Sequence, residues 1–100
     1  MRPRIKRSSM SSDLVIAIGL VWGHLRARQF EEAWQLANGC LRVWPKEPNL
    51  MLMAAYAAAE MLEPFDFDAL DEIRTPANAE WIRLVRRRAE DRTAQMRDER

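Results

Sequence analysis

His24 and Cys40 are the only histidine and the only cysteine in this 100-residue chain. They are its one conceivable base and thiol nucleophile. A thiolate mechanism needs the base within hydrogen-bond reach and a third group to orient it. Helical periodicity places His24 late in one apolar segment and Cys40 late in the next, on opposite arms of a hairpin, and no orienting group accompanies them. The plainer reading is an exposed or hydrogen-bonded imidazole and a small packed thiol. One His and one Cys cannot complete a four-ligand zinc site. Asp66, Asp68, Asp71 and Glu72 gather carboxylates, but they lack the glycine and the later glutamate of a calcium loop. No glycine-rich loop is present to cradle phosphate. The sequence therefore predicts no enzyme, no metal and no cofactor. A single cysteine also forbids an intramolecular disulfide and fits a reducing compartment.

The other reactive material is charge. Sixteen Lys and Arg against fifteen Asp and Glu give a formal net charge of +1, so there is no global basic field. The charges are segregated, however. Arg2, Arg4, Lys6 and Arg7 make a basic start. Residues 60–72 carry Glu60, Glu63, Asp66, Asp68, Asp71 and Glu72 with no base among them. Arg83 and Arg86–Arg88 form a second basic block. Either the acidic stretch and the basic helix pair with each other, or one of them docks a charged partner.

The elements that position these groups are helical. Hydrophobic residues make up 48% of the chain and charged residues 31%, with only three glycines. That is a globular composition, poor in the turn residues an all-β chain needs. Ser12 and Asp13 open a helix running from about Asp13 to Ala27, which is apolar on nearly every side. A second helix from about Phe30 to Val43 repeats Phe30, Ala33, Trp34, Ala37, Cys40 and Leu41 at helical spacing. Pro45 and Pro48 end it, because proline lacks a donor and restricts the residue before it. A third helix from about Asn49 to Leu62 carries no charge up to Ala59. A short helix over Asp66–Arg74 places Phe67, Leu70 and Ile73 on one side. The last helix begins near Ala77, with Trp81, Leu84 and Val85 as its apolar stripe and fraying expected beyond Glu90.

The apolar run Leu14–Trp22 after a basic start imitates a secretory leader. Asp13 at its border and the absence of a small-x-small cleavage site speak against one. The run is also too short to cross a bilayer, which takes about 20 apolar residues.

Residues 14–48 have the size of one tetratricopeptide (TPR) repeat, a helix–turn–helix unit of about 34 residues. Ala33, Ala37 and Cys40 are the small residues that let two antiparallel helices approach, and Pro45 closes the unit. Phe30 and Leu20 fall where the repeat wants bulk. Val21 stands where Gly or Ala would be expected, and Arg28 occupies a turn position that favours Gly. A second, degenerate repeat begins at Asn49, with Ala54, Ala55 and Ala58 on its first helix and interruptions at Pro64 and Pro76. Any αα-hairpin with small interface residues is the alternative reading.

With its hairpin ending Leu41-Arg42-Val43-Trp44-Pro45, its Ala-rich helix over residues 50–62, and Thr75-Pro76-Ala77-Asn78-Ala79 leading into Trp81-Ile82-Arg83-Leu84-Val85-Arg86, the chain resembles a known family over residues 14–89. These are the small TPR-like chaperones and assembly proteins of bacterial type III secretion systems, of the YscG/PscG type and the related Hrp-system proteins. The resemblance implies a cytoplasmic, virulence-associated chaperone whose concave face holds the amphipathic helix of a needle-type subunit and prevents its premature polymerisation. A second small helical co-chaperone is implied as a further partner. The first helix of each repeat would line the groove. Here those are helices one and three, the two that are apolar all round. Leu20, Trp22, Met51, Met53 and Tyr56 are the candidate partner-binding residues, by helix-in-groove recognition, with ordinary core packing as the alternative for each.

The sequence thus predicts an all-α fold of TPR-like antiparallel hairpins with four to five helices. It divides into a flexible basic tail over residues 1–10, a helical domain over residues 11–90 and a frayed polar end over residues 91–100. The alternatives are a small TPR-like interaction module of another pathway and a nucleic-acid-binding helical protein using Arg86–Arg88.

Overall fold

A computed structural model describes residues 11–98, with side chains as far as Met96; the basic tail expected over residues 1–10 lies outside the described residues. The described chain is all-helical: α1 (Ser12–Arg26), α2 (Phe30–Leu41), α3 (Pro48–Met61), a 3-10 helix (Phe67–Ile73) and α4 (Ala79–Asp98).

The helix ends follow from local chemistry. Ser11, rather than the expected Ser12, caps α1 by accepting the Leu14 N–H at 3.1 Å. Asp13 sits in the first turn, where the helix dipole favours an acid. After α1 the chain turns at Arg28, whose φ of 61° is the left-handed conformation a glycine would adopt at less cost. The Gln29 N–H bonds back to the His24 carbonyl at 2.8 Å and the Arg28 N–H to Leu25 at 3.0 Å, closing the α1 C-terminus. α2 stops at Leu41, two residues before the expected Val43, which is exposed. α3 starts with Pro48 in its first turn, and the Glu47 carboxylate caps it by accepting the Leu50 N–H at 2.9 Å. It ends at Leu62, φ 61°, with Glu63 N–H bonded to the Ala58 carbonyl at 2.9 Å.

The segment expected as a short helix over Asp66–Arg74 is a 3-10 helix. Its apolar residues Phe67, Leu70 and Ile73 recur at a strict interval of three, the period of that helix rather than of an α-helix. α4 continues to Asp98, past the fading expected beyond Glu90. Arg92 Nη2 ties it to the Glu60 carbonyl at 3.0 Å, and Arg, Ala, Gln and Met in this stretch are good helix formers.

Short connections make α1 and α2 antiparallel, and likewise α2 and α3, so α1 and α3 run the same way. α3 is the central element. One core lies between it and the first hairpin, built from residues such as Val21, Ala33, Ala37, Leu50, Ala54 and Ala57. A second core lies on its other side, where Ala55 meets Leu70, Ile73, Ile82 and Val85. The alanines at 33, 37, 54, 55, 57 and 58 are all fully buried. Their small size lets the helices approach closely. Bulk is supplied by Val21, Leu50, Leu70 and Ile82, also fully buried and each stabilising by roughly 1.5–3 kcal/mol.

Candidate partner-binding groove

α1 and α4 both pack against α3 but not against each other. Between them runs a groove of about 870 Å³. α3 forms its floor with Leu52, Met53 and Tyr56. α1 contributes Ile18, Trp22 and Leu25 to one wall, and α4 contributes Trp81, Leu84 and Val85 to the other. Three of these apolar side chains remain about half exposed: Trp22 at 48%, Trp81 at 56% and Leu84 at 49%. Large rings left half in water on two facing walls are what an apolar partner surface would cover.

Of the five residues the sequence nominated, three line this groove. Trp22 is on the α1 wall, and Met53 and Tyr56 are on the floor. Met53 is nearly buried and belongs to the first core, so it shapes the floor more than it offers contact area. Tyr56 is part-buried and packs edge-on to Phe30, with ring centroids 6.0 Å apart. Leu20 and Met51 are elsewhere. Leu20 is 55% exposed on the outer side of α1, with Ile16. Met51 packs against the second core. A helix apolar on every side does not reveal its phase, so the sequence does not separate these two from the residues that line the groove. The missed wall residues Trp81, Leu84 and Val85 were visible as the narrow stripe of the last helix. What the pattern lacked was any sign that this stripe only partly reaches a core: Val85 is buried, whereas Trp81 and Leu84 face the groove.

The far end of the floor is held by a buried ionic cluster. Glu60 is only 6% exposed. Arg88 Nη2 donates to Glu60 Oε1 at 3.1 Å and Arg88 Nε to Oε2 at 2.5 Å, while Arg92 Nε approaches Oε1 at 3.7 Å. Burial by itself pushes the Glu60 carboxyl up, but the hydrogen bonds from Arg88 and Tyr56 and the two guanidinium charges outweigh it and hold the pKa below the ordinary value. Burial also raises the Tyr56 phenol, and the neighbouring carboxylate raises it further. Arg88 bridges this cluster and the groove lining.

The acidic stretch and the basic helix are thus partners in part: Glu60, Asp68 and Asp71 pair with α4, whereas Glu72 pairs with Lys46 and Arg83 with Glu80. Arg86 Nη2 bonds to the Phe67 carbonyl at 3.0 Å and pairs with Asp71 at 3.1 Å and Asp68 at 3.3 Å. Of the Arg86–Arg88 block, only Arg87 makes no ion pair among the described residues.

The remaining reactive groups are engaged locally. His24 Nδ1 is 2.8 Å from Gln29 Oε1. Cys40 is a free, partly buried thiol packed on the first core. Among the described residues no group of three His, Cys, Asp or Glu could hold a metal ion, and no helix is long and apolar enough to cross a membrane.

Comparison with protein-family models, with curated proteins and with solved structures finds no match to this chain.

Proposed function

We propose that this protein is a non-catalytic chaperone or adaptor that holds an amphipathic helix of another protein in the groove between α1 and α4. The observation that carries this reading is the pairing of half-exposed Trp22 on one wall with half-exposed Trp81 and Leu84 on the other, over an apolar floor. An α-helix with its side chains is about 10–12 Å across. Helix-in-groove recognition needs a trough open along its length, with anchors spaced for successive turns. Ile18, Trp22 and Leu25 on α1, and Trp81, Leu84 and Val85 on α4, repeat at such spacings.

The sequence likeness to type III secretion chaperones makes a needle-type subunit in a bacterial cytoplasm the specific candidate partner, with a second small helical protein as a companion. The broader form of the proposal, a small TPR-like interaction module of another pathway, rests on the same groove.

The test is co-expression with the needle subunit encoded in the same genome, followed by size exclusion. Co-elution is expected, and Trp22→Glu or Leu84→Glu should abolish it while helicity by circular dichroism stays unchanged. These two side chains are half exposed, so their replacement spares the core. A soluble chain that never co-elutes would remove the needle subunit as partner. Binding that survives both substitutions would remove the groove.

A further inference from the structure

The charges around the groove are one-sided. Arg26 and Arg88 are the only charged residues among its lining groups, and no carboxylate is among them. The two cations share one end. Arg26 is the last residue of α1, and Arg88 is tied to Glu60 near the C-terminal end of α3, which runs parallel to α1. At the opposite end two of the polar lining residues, Thr75 and Asn78, already bond to each other and to the backbone, and Asn49 is neutral. The Thr75 N–H donates to Asn78 Oδ1 at 2.7 Å, the Asn78 N–H donates to Thr75 Oγ1 at 3.2 Å, and Asn78 Nδ2 donates to the Ile73 carbonyl at 2.9 Å. That end offers a docked helix no charge. At the cationic end Arg88 shares Glu60 with Arg92, whereas Arg26 is exposed and makes no ion pair among the described residues.

We propose that the groove selects an acidic amphipathic helix, one whose apolar stripe ends in carboxylates that lie between Arg26 and Arg88. This rests on the helix-binding reading above and adds the chemistry of the partner. Placing an acidic side chain there pairs Arg26 and gives Arg88 a second acceptor. A basic side chain at the same place meets two like charges, which opposes binding.

The test titrates the full chain with three fluorescein-labelled helical peptides that share one apolar stripe and differ only in two residues at one end: two Glu, two Gln or two Lys. Anisotropy is read at low and at high sodium chloride. The Glu peptide is expected to bind about three- to tenfold more tightly than the Gln peptide, as one or two partly exposed ion pairs allow. The Lys peptide should bind most weakly, and the differences should shrink with salt. Arg26→Gln, at an exposed position, should narrow the gap between the Glu and Gln peptides, and combining it with Arg88→Gln should close it. Equal binding of all three peptides, or a Glu preference that survives both Arg26→Gln and Arg88→Gln, would overturn the acidic preference and leave the groove standing. Binding of none of them would overturn the helix-binding reading as well. Self-association of the free chain that Leu84→Glu abolishes would place a second copy in the groove and equally overturn the proposal.

Discussion

Arg88 grips Glu60 through two nitrogens across the α3–α4 interface, so a single buried carboxylate fixes how the second wall of the groove sits on its floor. Arg92 adds a bond to the backbone carbonyl of the same glutamate. Three hydrogen bonds on one residue hold the last helix in register with α3, over the stretch where α4 leaves the second core.

Removing that carboxylate should therefore loosen α4 in particular. Glu60→Gln keeps the shape but takes the charge, leaving Arg88 and Arg92 without their counter-ion. Both arginines are partly exposed, so water compensates in part. The expected loss is about 1–3 kcal/mol, below that of a fully buried pair. Urea unfolding monitored by tryptophan fluorescence measures it. An unchanged midpoint would mean that α4 is held by apolar packing alone.

The same cluster sets an acid limit. Because the folded-state pKa of Glu60 lies below the ordinary glutamate value, the unfolded chain binds this proton more readily than the folded one. The stabilisation is complete above the ordinary glutamate range and is lost as pH falls through it toward the lower folded value. Asp71, lowered first by its bond to Arg74 and also by Arg86, acts in the same direction. Tyr56 behaves in the opposite sense. Its raised value gives stability that is present below pH 10.0 and lost as pH rises through the folded-state value. Thermal melts from pH 7 down to pH 3 should show falling stability, and Glu60→Gln should flatten part of that slope.

Two turns invite glycine. Arg28 and Lys46 both have φ near 60°, a conformation that costs a side-chain-bearing residue roughly 1 kcal/mol. Lys46 makes only an exposed pair with Glu72, at 3.4 Å, so Lys46→Gly should raise stability by up to about 1 kcal/mol. The guanidinium of Arg28 lies over the Phe30 ring, 5.6 Å from its centroid. Arg28→Gly forfeits that contact and should come out close to neutral. Chemical denaturation of the two variants side by side tests the contrast, and an equal gain in both would show that the stacking contributes nothing.

Leu20 and Trp22 separate surface from groove on one helix. Trp22→Ala should weaken binding of a docked helix by about 2 kcal/mol, the scale of a central anchor. Leu20→Ala, on the outer side of α1, should leave it unchanged. Met53→Ala would instead cost about 2 kcal/mol or more of folding stability, because that side chain belongs to the core. Peptide titration together with urea midpoints distinguishes the three outcomes.

The hairpins were legible in the sequence because their causes are local. Pro45 and Pro48 end one helix and start the next, and the run Ala33, Ala37, Cys40 marks the close face of α2 whatever else surrounds it. The pairing of the acidic stretch with the basic helix was legible from charge alone. The groove was only half legible. α1 and α3 announce themselves as too apolar for a small domain, but an all-apolar helix has no preferred side, so Leu20 and Met51 could not be told from Trp22 and Met53. The α4 wall depends on how far Arg88 and Arg92 draw that helix along α3. That distance is set by a long-range contact with Glu60, which no periodicity encodes.

The two cores meet through α3 and the Phe65 ring that follows it, and neither of the groove walls leans on the other. Cooperativity should follow that division. The first hairpin can open without exposing Ile82, and α4 can lift without exposing Ala33, so the walls are free to fluctuate as separate units about a common spine. Amide hydrogen exchange should then sort into two protection classes, one for α1–α2 and one for the 3-10 helix and α4, with α3 as slow as the slower of the two. A helix seated in the groove would touch both units at once and merge them into a single class.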